Sequence, residues 1–350
     1  MNPPNQQPGV KDYRISKIEG YRSLYVIDSY LINNRAIDFL RLRLKMTWFY
    51  DHCLYRLVKR ICSNEKLAVH QVWNFDPNLH GFLYKYPAGR KVFFAADQVQ
   101  NHSQTRGAKK VSIVVSVAEE ILAQFRQINK NCLLINHGLN SSYETYAQKR
   151  LENLNHDNPG KVNEKISIGY IGNLLIPSLY EEGLLQIVTE HPETDFHFWG
   201  AYDHADNNLL ANYDLKIYNT IQYIKNNCSN TFFHGIRSAE EIISELDSID
   251  IFIYINSSLK DINGGANSHK ILEYLSTGKP IVSTYLSFYK ELDLLLMTDK
   301  GREEEFSSLF NDTLANIAHF NSIEIQRKKI TYALSNTYRH NIERILENEK

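Results

Sequence analysis

From about residue 67 the chain alternates short apolar runs with longer amphipathic ones. That rhythm restricts it more than any other feature, because it is what a parallel sheet with covering helices requires. LAVHQVW (67 to 73), KVFFAA (91 to 96), VSIVVS (111 to 116) and CLLIN (132 to 136) predict strands, being rich in β-branched and aromatic residues, and Val117 to Ile128 predicts a helix between the last two. A polar stretch from Ser141 to about Lys165 reads as an interdomain connection. The alternation then restarts. KISIGYIG (165 to 172), FHFWG (196 to 200) and TFFHG (231 to 235) predict strands closed by glycine, and DIFIYI (250 to 255) a central strand. Ser178 with Glu181 and Ser238 with Glu241 have the spacing of capping boxes, and residues 323 to 350 predict helix.

Bulk properties exclude several classes. At 350 residues with 43% hydrophobic and 23% charged side chains, the chain is long enough for two globular domains. Its 39 basic and 40 acidic residues leave a net charge of -1, so no global field recruits nucleic acid. Cys53, Cys62, Cys132 and Cys228 are scattered without metal-ligand spacing and read as reduced thiols. No apolar run approaches the roughly 20 residues of a bilayer span, and no signal-peptide pattern opens the sequence, so a cytoplasmic site is expected.

In an open parallel sheet, ligands bind beyond the carboxyl ends of the strands, where glycine lets backbone approach phosphate. Gly172, Gly200, Gly235, Gly264 and Gly265 stand at or just past such ends. The densest signal is NGGANSHKILEYLSTGKPIVST (263 to 284), a glycine loop feeding a helix that should stop at Gly278. Lys270 and Glu273 share one helical face: the first offers a cation for a diphosphate, the second two acceptor oxygens for a vicinal diol. The same spacing suits an exposed ion pair worth a few tenths of a kcal/mol, so spacing alone leaves both readings open.

HKILEYLSTGKPIVST resembles the carboxyl-domain signature of GT-B glycosyltransferases of the group 1, or family 4-like, type. KISIGYIGN, FFHGIRSAEEIISELDSIDIFIYI and YRHNIERIL follow that group's order of elements. More loosely, VWNFDP, VFFAADQV and INHGLN are similar to the acceptor domains of bacterial teichuronic acid and capsule polysaccharide glycosyltransferases. The resemblance implies an α/β protein of two Rossmann-like domains facing a cleft: an acceptor-side domain over 1–155, a donor domain over 156–325, and a terminal helix over 326–350 crossing back to the first. In those relatives a segment like NPP (2 to 4) follows a first βαβ unit, so the amino-terminal domain is expected to be shortened.

The resemblance further implies a glycosyltransferase working on a nucleoside-diphosphate-sugar, a UDP-sugar first, with a glycan or lipid-linked acceptor and no cofactor or metal. Glu273 would meet the donor ribose, Lys270 the phosphates, and Arg237 after Gly235 the nucleobase. Gly172 and Asn173 would face the cleft, with Asn263 and His269 completing the donor set. Ala266 stands where many retaining members carry a glutamate that contacts the sugar. A nucleotide-sugar epimerase of similar build and a noncatalytic nucleotide-sugar-binding or partner-binding protein are the alternatives.

For the chemistry, Asp97 is the candidate base, with a loop or capping aspartate as the plainer reading. His70 lies in an apolar run and reads as a core histidine, whereas His102 and His137 near strand ends stay open. Residues 35 to 60 mix Arg35, Arg41, Arg43, Lys45, Arg56, Lys59 and Arg60 with Phe39, Trp48, Phe49 and Tyr50. That stretch suits either an ordinary packed helix or a peripheral contact with anionic lipid.

Overall fold

The computed structural model describes residues 13–20, 22–29, 47–75, 84–98, 107–155, 165–203, 214–261 and 265–348. The chain forms two compact units, the first comprising 1–95, 99–114 and 125–132, the second 96–98, 115–124 and 133–350.

In the first unit, β1 (Tyr13–Lys17) and β2 (Tyr25–Ser29) pair antiparallel, Ile15 opposite Ile27. Helix α1 (Thr47–Asn64) buries Leu54, Leu57 and Ile61, one stripe at helical spacing, against Tyr13. Arg56, Lys59 and Arg60 are exposed on its other side, while Arg35, Phe39, Arg41, Arg43 and Lys45 lie outside the described residues. A four-stranded sheet has the order β3 (Gln71–Asn74), β4 (Arg90–Ala95), β5 (Ile113–Ser116), β6 (Cys132–Leu134), with α2 (Glu119–Arg126) between the last two. The strand expected over 67 to 73 begins only at Gln71, and His70 is exposed rather than in the core. Its apolar neighbours Leu67 and Ala68 are exposed as well, and Val69 is only half-buried.

The polar stretch after Leu139 is helix α3 (Ser141–Asn153), which needs little apolar surface because only Tyr143 and Ala147 are buried. Asn140 caps it, its side chain accepting from the Tyr143 amide. The remaining elements of the second unit alternate as expected: β7 (Ser167–Ile171), α4 (Glu181–Glu190), β8 (Asp195–Trp199), α5 (Leu215–Asn227), β9 (Thr231–Gly235), α6 (Ala239–Ile243), β10 (Ile251–Tyr254), α7 (His269–Leu275), β11 (Ile281–Ser283) and β12 (Leu296–Met297). Helices α8 (Phe306–Ala315), α9 (Ile317–Phe320), α10 (Ile323–Leu334) and α11 (Tyr338–Glu347) follow.

The six strands of this unit pair in parallel in the order β12-β11-β10-β7-β8-β9. Numbered from β7, this is the doubly wound order 6-5-4-1-2-3, whose direction reverses between β7 and β10; ligands bind at that reversal, beyond the carboxyl ends. One face is covered by Leu184, Ile187, Ile217, Ile221, Phe306 and Phe310 from α4, α5 and α8. The other is covered by α3, α6, α7 and α10 through residues such as Tyr143, Ile242, Tyr274 and Ala333. Among the described residues no helix is long and apolar enough to cross a membrane.

Of the two expected capping boxes one forms. Ser238 and Glu241 bond reciprocally at α6. At α4 the cap residue is Tyr180, without a side-chain bond, because Glu181 turns inward: it is 1% exposed, with Lys216 at 3.0 Å and Lys260 at 3.6 Å.

Candidate functional site

Strand β7 ends at the reversal point in Gly172, whose φ of +154° lies in the region that favours glycine. A β-carbon there would stand 2.0 Å from Lys270 Nζ, so the missing side chain is the space that Lys270 occupies. Gly200, at the end of β8, is required by packing: a β-carbon would meet the Gly172 carbonyl oxygen at 2.0 Å.

Helix α7 is fixed against β7 by Tyr274, which is fully buried and stacked on Phe252 at 4.6 Å. The Ile171 amide donates to its hydroxyl at 2.8 Å. Lys270 lies one turn earlier on the same face, which brings its ammonium over Gly172 and 5.2 Å from the centre of the Tyr170 ring. Glu273 is one turn along from Lys270. Among the described residues neither Lys270 nor Glu273 makes a hydrogen bond or ion pair through its side chain, and neither is fully exposed, so the surface-pair reading of their spacing does not hold. Burial lowers Lys270 to about 8 against the opposing pull of Glu273, and burial raises Glu273 to about 7 against the pull of Lys270. Two half-buried charges that, among the described residues, lack close partners, with protonation equilibria drawn together near neutrality, make this turn a candidate site.

His269 opens α7 and meets His137 at 6.0 Å between ring centres, edge to face. Burial first, and then His269, lowers His137 to about 4; surrounding protein and Lys270 lower His269. Both shifts favour the neutral imidazole. The loop that carries His137 is anchored by Asn136, 2% exposed, which binds Tyr289, Tyr332 and Asn267 through its amide group.

The other expected residues are placed as follows. Asn173 turns its carboxamide oxygen to the Leu175 amide at 2.8 Å and its carbonyl to the Tyr170 hydroxyl, and so builds the turn after Gly172. Gly235, at φ +72°, accepts from the Gly200 amide. Arg237 donates through Nε to the His234 carbonyl and pairs at 3.5 Å with Glu241. Asp97 is exposed in the bend after β4. Asn263, Gly264 and His102 lie outside the described residues. Gly172, Lys270 and Glu273 thus come together with His137 and His269, whereas Arg237 stands at a separate strand end. Reading the sequence missed Tyr274 and Asn136; Tyr274 was visible as a position four after Lys270, but nothing local singled out Asn136. Among the described residues no group of three or more His, Cys, Asp or Glu side chains is arranged to hold a metal ion.

No protein-family model matches this sequence, and no curated protein matches it. Solved structures do. HepE from Anabaena in complex with UDP is 14% identical, with 79% of this chain and 78% of that one covered at a TM-score of 0.59. A glycosyltransferase from Rickettsia africae is 14% identical over 86% and 82% of the chains at 0.62. A UDP-forming α,α-trehalose-phosphate synthase from Burkholderia xenovorans is 9% identical over 86% and 78% at 0.61. These likenesses establish the fold, that of GT-B glycosyltransferases, built from two Rossmann-like parts.

Proposed function

We propose that this chain is a glycosyltransferase that takes a sugar from a nucleoside-diphosphate-sugar, a UDP-sugar first, and passes it to a glycan or lipid-linked acceptor in cell-surface polysaccharide synthesis. One observation carries the donor half of this reading: Lys270 and Glu273, half-buried and without close partners among the described residues, stand on the helix that follows the strand reversal between β7 and β10. Lys270 is the cation for the diphosphate and Glu273 the acceptor for the ribose hydroxyls. Arg237, after Gly235, is the side chain proposed to border the base. HepE, of similar fold, was solved with UDP and with UDP-glucose, which supports the same donor class here.

Catalysis by such a site works by stabilising the departing diphosphate, and Lys270 supplies the positive charge with no metal required. Asp97 is the proposed base for the acceptor hydroxyl. The polysaccharide pathway rests on resemblance, and a peripheral contact with anionic lipid rests on the exposed Arg56, Lys59 and Arg60. A second reading, a noncatalytic nucleotide-sugar-binding protein, is favoured by Ala266. It is 1% exposed and offers no carboxylate where the resembling enzymes contact the sugar.

A thermal-shift panel of UDP-, GDP-, ADP- and dTDP-sugars against the wild type and Glu273→Ala tests the donor site. Selective stabilisation of the wild type by one base, reduced in the variant, is expected. If no nucleotide stabilises the wild type, or the variant responds identically, the donor assignment is wrong. Transfer to an acceptor separates the enzyme from the binding protein.

A further inference from the structure

Four segments distant in sequence converge on Asn136 within the second unit. Its carboxamide oxygen accepts from the His137 amide at 2.8 Å and from Asn267 Nδ2 at 3.0 Å. Its Nδ2 reaches the hydroxyls of Tyr289 at 3.1 Å and Tyr332 at 3.3 Å. The backbone is held too, since Asn341 Nδ2 donates to the carbonyls of Asn136 and His137 at 3.0 and 3.1 Å. Asn267 in turn ties the residue before α7: its Oδ1 accepts from the Ser268 amide at 2.7 Å, and its Nδ2 also donates to the Val117 carbonyl at 2.8 Å. Ser268 itself provides no side-chain cap for α7, so the start of that helix is set from outside, through Asn267.

A buried carboxamide with every hydrogen-bonding position used fixes geometry tightly, because any movement leaves a polar group unsatisfied. The two segments it locks together carry His137 on one side and His269 with Lys270 on the other. Among the described residues no other side chain is seen to bond to both. We infer that Asn136 is a positioning residue for the proposed donor site: it holds the first turn of α7 and the His137 loop in one fixed relation without touching ligand. The inference rests on the donor reading for its functional consequence and on the hydrogen bonds alone for its structural one.

The test uses the full chain as wild type, Asn136→Ala and Asn136→Asp. Aspartate keeps the acceptor oxygens, and the two tyrosine hydroxyls can turn to donate to it, so it is the conservative rescue. Two quantities are measured: amide hydrogen exchange at 137–139 and 268–271, and UDP affinity by calorimetry. In Asn136→Ala, exchange at both segments should accelerate at least about tenfold more than in the rest of the unit, and UDP affinity should fall about tenfold. Asn136→Asp should restore both to within about threefold. Should Asn136→Ala fail to fold, Asn267→Ala removes one link and should loosen 268–271 while leaving 137–139 unchanged. Unaltered local exchange in the alanine variants overturns the positioning role, as does unaltered UDP affinity where the wild type binds. If wild-type protein does not bind UDP, the donor reading fails for that base and the exchange data alone decide whether Asn136 positions α7.

Discussion

Two turns at the carboxyl edge of the six-stranded sheet handle polar groups in opposite ways. The turn from β9 into α6 closes on itself: Ser238 and Glu241 cap each other, and Arg237 is held by the His234 carbonyl and the Glu241 carboxylate. The approach to α7 leaves a lysine and a glutamate half-buried and, among the described residues, without a close partner, with protonation equilibria of about 8 and about 7. A saturated turn is complete as it stands. A turn that leaves enclosed charges unmatched is costly to the fold, and the cost makes sense where an oppositely charged ligand completes it.

The sharpest way to break this contrast is Lys270→Met, which should reduce UDP affinity by about 30-fold, the scale of a lost charge-assisted hydrogen bond, as read by calorimetry. An affinity equal to wild type would remove Lys270 from the site. Next comes Glu273→Gln. The folded-state carboxyl is raised from its ordinary value to about 7, so its stabilising contribution is complete below about pH 4.5 and lost as pH rises through about 7. The glutamine variant should therefore gain on the order of 2 kcal/mol over wild type at pH 8, and the gain should vanish near pH 4.5, in denaturant titrations. It should also bind UDP about tenfold more weakly while binding the 2′,3′-dideoxy analogue as wild type does, because the glutamate serves only the diol.

The smallest effect is expected on the saturated side. Ser238→Ala should cost about 1 kcal/mol of stability, the usual loss of a helix cap, and leave UDP affinity within about twofold. A large affinity loss there would erase the distinction between the two turns.

What could be read in advance follows the range of the interactions. Strand ends, the Ser238 cap and the shared face of Lys270 and Glu273 depend on residues within four positions of each other, and all are visible as spacing. The capping box at Ser178 failed because a tertiary partner, Lys216, draws Glu181 inward. His70 was misread because an apolar run signals burial only if something packs on it. Asn136 was illegible for a related reason: its side-chain partners Asn267 and Tyr289 stand 131 and 153 residues away, and Asn341, which bonds its carbonyl, 205. A lone asparagine beside a histidine carries no local sign of such a role. Helix α7 was legible as a motif, but that its charges are half-buried and, among the described residues, unmatched is a tertiary fact.

The central claim is that Lys270 stands ready for a phosphate, and proton-linked calorimetry tests it most directly. UDP is titrated into wild type and Lys270→Met at pH 8 in buffers of different ionisation enthalpy. With its equilibrium lowered to about 8, Lys270 is about half protonated there, and a bound diphosphate should draw in about half a proton per site. Uptake of that size in the wild type, absent in the variant, is the predicted result. UDP binding with no proton uptake, or with the same uptake in both proteins, would contradict the account.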